Sequence, residues 1–221
     1  MTLDPVAAAR LVDACAAGIV LVGILISGTR SIGRAIWLVA VQAILVATTA
    51  IGVGLATGSS HLVLGGLFAG LTKGFVVPVL LGGILRQSPV RTERHPYLAP
   101  RTALIFAIAI VFAASAAVDG AQLGGSLDAP RALPVAVAEI LTGLLIAMTR
   151  RKALSIIVGL LVFENGLSLT AFSLTYGMPL VIELGVAFDL LIAIVVVWVY
   201  ARRMLIVLGT TSTDELRKLR G

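Results

Sequence analysis

Residues 62–85 read LVLGGLFAGLTKGFVVPVLLGGIL, twenty-four residues broken by a single charge, Lys73, and a single proline, Pro78. A hydrocarbon core ~30 Å thick is crossed by about 20 helical residues, so this stretch is long enough to span it. It is unbroken rather than alternating, which favours a helix over a barrel strand. A helix also satisfies its own backbone hydrogen bonds where water is absent.

Six further stretches share this character: Val6–Ser27, Ile32–Thr57, Thr102–Leu123, Ala132–Met148, Ala153–Tyr176 and Met178–Ala201. The expected fold is therefore an all-α polytopic membrane protein of about seven transmembrane helices. Composition agrees: 59% of the 221 residues are hydrophobic and 13% charged, against roughly 25% charged in soluble domains. The first span lacks a basic leader and runs straight into further spans, so it reads as a mature helix. Cys15 is the single cysteine, lies in an apolar run and reads as a packing residue.

The basic residues set the expected orientation. Arg30, Arg34, Arg86, Arg91, Arg94, Arg101, Arg150, Arg151, Lys152, Arg202, Arg203, Arg217, Lys218 and Arg220 fall on one side, against Arg10 and Arg131 on the other. The positive-inside rule then puts the N-terminus outside and the C-terminus in the cytoplasm. The net charge of +6 reflects loops facing anionic lipid rather than nucleic-acid binding. The loop from Arg86 to Arg101 reads as an ordinary positive-inside loop, with a docking surface for a cytoplasmic partner as the sharper alternative. In the tail, Ser212 and Glu215 have capping-box spacing, suiting a short helix.

The informative residues are the ionisable ones within the spans: Lys73, Glu139, Glu164, Glu183 and Asp189. Each costs about 2.5–3.5 kcal/mol at a helix centre on insertion scales, so they must face protein or a wet cavity. At ~1.5 Å per residue, Lys73, Glu139, Glu164 and Asp189 lie roughly 12–18 Å from the cytoplasmic edge. Glu183 is nearer the outer side. The four deeper groups form a layer near the midplane and are the candidate proton or ion relay, with Glu183 beside them. Carboxyl groups shielded from water can take up and release protons as their surroundings change. The competing reading is that they merely satisfy one another.

Pro78 lacks an N–H, so the carbonyl of Gly74 loses its normal helical partner beside Lys73, and a helix break is expected at Gly74 and Pro78. Gly66, Gly70 and Gly74 repeat every fourth residue, a stripe along which another helix can approach. Gln42, in the second span, suits an interhelical hydrogen bond. The chain carries no phosphate loop, dinucleotide fingerprint, cysteine cluster or paired haem-ligand histidines. A self-contained enzyme is not expected, nor a cofactor or metal in this chain.

At Glu164-Asn165-Gly166, then Pro179-Leu-Val-Ile-Glu183-Leu-Gly185 and Asp189, the sequence resembles the E subunit of hydrogenase-4 and formate hydrogenlyase-type complexes. Thr72-Lys73-Gly-Phe-Val-Val-Pro78 and the ending Leu216-Arg-Lys-Leu219-Arg220-Gly221 resemble the same family. From Leu141 onward the chain is also similar to the small K subunit of respiratory complex I. The shared features are Leu-Thr-Gly-Leu at 141–144, the basic turn Arg150-Arg151-Lys152, Ile-Val-Gly-Leu at 157–160 and Asn165. The mid-helix carboxylates of that subunit fall on Leu161 and Phe188, so the acids here, Glu164 and Asp189, are displaced. Glu139 matches neither family's pattern.

The resemblance implies three parts: a four-helix region over 1–130, a K-like three-helix region over 131–203 and a cytoplasmic tail over 204–221. It implies a non-catalytic membrane-arm subunit of a hetero-oligomer in the cytoplasmic membrane of a prokaryote. Its partners would be antiporter-like subunits and a hydrogenase peripheral arm holding nickel–iron and iron–sulfur centres. Redox chemistry there would be coupled to proton or sodium movement. A structural linker and a stand-alone transporter are the alternatives; the latter is disfavoured because no second half mirrors the proline-containing span.

Overall fold

A computed structural model describes residues 4–87, 91–121 and 132–174. Seven α-helices follow in order: α1 (Pro5–Gly28), α2 (Ile32–Thr57), α3 (Ser60–Leu71), α4 (Val77–Gln87), α5 (Pro100–Ala121), α6 (Ala132–Thr149) and α7 (Ala153–Leu174). A π-helical turn, Thr72–Val76, joins α3 to α4 without a gap, so both belong to one span. These helices coincide within two residues with the first six expected spans at every end that is described; the expected ends at Leu123 and Tyr176 lie outside the described residues. The span expected at Met178–Ala201 and the tail lie outside the described residues.

Among the described residues five helices are long and apolar enough to cross a membrane, and a sixth apolar helix, Leu133–Thr149, is shorter. The protein is a polytopic, nearly all-helical membrane protein. Its outer surface is correspondingly apolar: Trp37, Phe75, Phe112 and Met148 are all more than 60% exposed. In lipid such exposure costs nothing, because the solvent is itself hydrocarbon.

Local sequence sets the helix ends. Ser31 caps α2 by accepting from the Arg34 N–H at 3.5 Å. Gly58, at φ +70°, ends it in the left-handed conformation, and the Ser59 N–H bonds back to the Gly54 carbonyl. Pro134 sits in the first turn of α6, where its missing N–H has no helical partner to lose.

Helix α2 is the centre of the bundle, packing on α1, α3, the π turn, α4 and α7. The tightest pair is α6 and α7. A Cβ built on Gly143 would collide with the Phe163 backbone, and one on Gly159 with the Ala147 backbone. One on Gly166 would lie 2.7 Å from the Ile140 nitrogen. With no hydrophobic effect between helices in lipid, such close backbone approach supplies the packing energy. The Gly66, Gly70 and Gly74 stripe lies on α2, against Ala50, Ala47 and Ile44 respectively.

Two apolar clusters fill the interior, one above the other. One holds Val22, Ile26, Ile36, Val39, Leu81, Ile157, Leu161 and Val162. The other holds Val12, Ile19, Val46, Val53, Leu62, Ala136 and Leu169. Along α2 the division falls between Val39 and Val46, and along α7 between Val162 and Leu169. Gln42, Glu164 and Asn165 occupy those intervals.

Candidate functional site

The layer between the apolar clusters is polar and closed to solvent. Gln42 is fully buried, Glu139 and Asn165 are each 1% exposed, and Glu164 and Lys73 are 6% and 7% exposed. Gln42 is its hub. Its amide nitrogen donates to Glu139 Oε2 at 2.7 Å and to the Ile19 carbonyl at 3.3 Å. Its amide oxygen accepts from Asn165 Nδ2 at 3.1 Å. One side chain thus ties α1, α2, α6 and α7 together.

The Glu139 carboxylate fits against α1 where Gly23 leaves room; a Cβ on Gly23 would overlap it. Helix α1 therefore offers the polar groups of its neighbours one face at four-residue intervals. The Ile19 carbonyl meets Gln42, Gly23 meets Glu139, and the Ser27 carbonyl accepts from Arg150 at 2.6 Å. Residues four apart lie one above another on a helix.

The second cluster shares the same depth. Lys73 Nζ lies 2.7 Å from Glu164 Oε1 and donates to Ser168 Oγ at 3.3 Å. Glu164 and Ser168 are four apart on α7 and form one receptor for the ammonium. Asn165, next in sequence, faces Gln42 instead. The two networks thus lie on adjacent residues of α7, with no hydrogen bond between them among the described residues. Glu164 Oε2 is buried and has no hydrogen-bond partner among the described residues.

Lys73 reaches this position from the π turn. The Val77 N–H bonds the Thr72 carbonyl, five residues back, and Thr72 Oγ1 donates to the Phe68 carbonyl at 2.8 Å. In place of the break expected at Gly74 and Pro78, the helix widens by one residue. An i→i−5 register carries the chain past a proline that cannot donate, at the cost of a wider turn. Such turns occur frequently at functional sites.

At the basic end of the bundle, the loop after α4 folds back over the helix ends. The Ile32 N–H bonds the Arg91 carbonyl, the Glu93 N–H bonds the Arg30 carbonyl, and the Tyr97 N–H bonds the Thr149 carbonyl. Glu93 is 1% exposed, and its Oε1 accepts from the Arg151 N–H at 3.4 Å. The Arg151 guanidinium stacks 4.1 Å from the centre of the Tyr97 ring. Burial lowers the Arg150 pKa from its ordinary value, the Glu93 charge opposes that shift and Arg30 adds to it. Arginine remains charged through such shifts.

Of the residues singled out in the sequence, Lys73 and Glu164 meet directly, and Glu139 lies in the neighbouring network with Gln42 and Asn165. Gly74 lies in the π turn and Pro78 at the start of α4. Glu183 and Asp189 lie outside the described residues. Sequence reasoning passed over Asp13, an acid within the first span whose Oδ1 is buried and unpartnered among the described residues. It also passed over Glu93, whose signal was being the one acid in an otherwise basic loop. Among the described residues no cluster of three or more His, Cys, Asp or Glu is placed to hold a metal ion.

The chain is similar to a protein of Mycobacterium tuberculosis known as uncharacterized protein Rv0085, with 30% identity over 214 residues, 95% of this chain and 96% of the relative. It is also similar to hydrogenase-4 component E of Escherichia coli K12, with 28% identity over 151 residues, 68% of this chain and 70% of that one. The component of the same name in Shigella flexneri gives the same figures. No protein-family model and no solved structure matches the chain. The chain thus belongs to the family of the mycobacterial protein Rv0085 and is a distant homologue of hydrogenase-4 component E.

Proposed function

We propose that this chain is a non-catalytic membrane-arm subunit of a complex-I-like, membrane-bound nickel–iron hydrogenase of the hydrogenase-4 type. In this reading its midplane polar layer forms part of the relay that moves protons or sodium ions as the redox reaction proceeds. The distant homology to component E supports the setting. The observation that carries the mechanism is the placement of Glu164 and Asn165 side by side on α7, one holding the Lys73 ion pair and the other the Gln42 and Glu139 network at the same depth.

An ion pair buried in low dielectric is rarely worth its desolvation for stability alone. It gains a use where the two charges can separate: a Lys73 ammonium that swings from Glu164 leaves that carboxylate needing a proton. Ser168 offers the ammonium a second partner on the same face. Gln42 and Asn165, each able to donate and accept, extend the polar contact towards Glu139. Asp189 and Glu183 on the last span would continue the relay towards neighbouring subunits.

The same proposal includes the finer topology: seven spans, the N-terminus outside and the C-terminus in the cytoplasm of a prokaryotic inner membrane. It includes the division at 1–130, 131–203 and 204–221. The partners would be antiporter-like subunits and a peripheral arm holding the nickel–iron and iron–sulfur centres.

A structural linker is the second reading, favoured by the fact that Gln42 alone braces four helices. Purifying the chain from its native membrane tests the setting, the expected result being a co-purifying nickel–iron large subunit. Replacing Lys73 by Met together with Glu164 by Leu then separates the readings. A relay predicts assembled complex with redox activity but no ion movement, whereas full ion movement would establish the linker.

A further inference from the structure

Between α2 and the π turn with α4 lies an open groove of about 450 Å3. Trp37, Phe75, Pro78, Gly82, Gly83 and Arg86 line it. Trp37 is 72% and Phe75 67% exposed. A Cβ built on Gly82 or Gly83 meets nothing within 4 Å, so the floor is open space rather than helix contact.

One arginine lines its basic end, and the main chain of two more runs beside it. Arg86 lines the groove, Arg34 follows the lining residue Gly33, and the Arg91 main chain is held by the Ile32 N–H. All three are exposed. Glu93, the acid of that loop, is turned inward to the Arg151 N–H and does not neutralise them.

The dimensions select the occupant. From Arg86 to Gly74 the groove follows about 18 Å of helix, close to the ~15 Å of one leaflet. It therefore starts at the headgroup level and stops at the midplane. A partner helix, ~10–12 Å wide, would cross both leaflets and so run well past the groove, and would need acids of its own to meet the arginines. An anionic phospholipid fits all three features: apolar depth, one-leaflet length and a phosphate for arginine to bind. The groove volume also falls within the ~300–1,000 Å3 usual for small-molecule sites.

We propose that this groove is a specific site for an anionic phospholipid, with one acyl chain lying along Phe75, Pro78 and Gly82 and the headgroup phosphate held by Arg34 and Arg86. Arg91 closes the headgroup site from the loop. Trp37 sits at its rim, where aromatic rings meet the headgroup level.

The test is native mass spectrometry of the purified full-length chain titrated with phosphatidylglycerol or with phosphatidylcholine of the same acyl composition. Phosphatidylglycerol is expected to bind preferentially, and the double variant Arg34→Gln with Arg86→Gln to bind it about thirtyfold more weakly. Gly83→Leu, whose Cβ would meet nothing within 4 Å and whose side chain would occupy the groove, should lower binding while helicity and melting temperature stay unchanged. Equal binding of phosphatidylcholine would overturn the proposal, as would wild-type affinity in the arginine variant. So would a photoreactive side chain at position 82 that, in the native membrane assembly, cross-links to polypeptide rather than to lipid.

Discussion

Lys73 Nζ lies 2.7 Å from Glu164 Oε1, joining a π-helical turn of one span to the middle of another within a layer that solvent does not reach. Each residue is costly in hydrocarbon alone, and together they cost less. Lys73→Met should therefore destabilise the protein by about 3–5 kcal/mol, because it leaves an acid buried without its counter-charge. Lys73→Met combined with Glu164→Leu should recover most of that loss. Melting of the detergent-solubilised protein across the double-mutant cycle measures the coupling, and purely additive effects would show that the pair does not interact.

Gln42 carries the other half of the layer. Gln42→Leu keeps the volume but orphans the Glu139 carboxylate and the Asn165 amide, at about 1–3 kcal/mol per stranded group. Glu139→Gln keeps an acceptor for Gln42 and should cost less than Gln42→Leu. The melting temperatures should fall in that order, and the reverse order would show that Gln42 is not the hub.

The glycines separate into two kinds. At Gly159 and Gly143 any side chain strikes the backbone of the facing helix, so Gly159→Leu should part α6 from α7 and abolish stable expression. Gly82 faces open space, and Gly82→Ala should stabilise by up to about 1 kcal/mol through helix propensity. Cysteine cross-linking between α6 and α7 would follow the separation directly.

Much of this architecture is legible from hydropathy. The described ends of six apolar helices can be placed within two residues because long apolar runs bounded by Arg30, Arg86, Arg150 and similar residues leave few choices. The azimuth of each helix is not legible in the same way. Whether Glu139 meets Gln42 or Lys73 depends on which faces pack, and those faces are set by backbone contacts such as Gly143 on Phe163. Helix α2 is apolar almost all round, so periodicity does not mark Gln42 as the hub. The π turn was also hidden: Pro78 announces a lost hydrogen bond, but only the surrounding packing decides between a break and a widened turn. Asp13 was as visible as Glu139, an acid in an apolar run, and a depth estimate applied to every span would have found it.

The buried Glu93 predicts a property of the loop it belongs to. Its removal in Glu93→Ala deprives Arg150 of a nearby anion and the Arg151 N–H of its acceptor. The loop should then open, and limited trypsin digestion should cut faster at Arg91 and Arg94, both exposed in the folded protein. Cleavage at the wild-type rate would mean that the three backbone bonds hold the loop without the carboxylate.

The central claim is that the midplane layer moves ions, and Glu164→Gln tests it most directly in inverted membrane vesicles carrying the assembled complex. A glutamine keeps the shape and an acceptor for Lys73 but has no proton to exchange at neutral pH. Dye-linked hydrogen oxidation should stay near the wild-type rate, while redox-driven ion uptake falls by about a hundredfold, the low end of what losing a proton-transfer group costs. Ion uptake at the wild-type rate, with the variant shown to be assembled, would contradict the account.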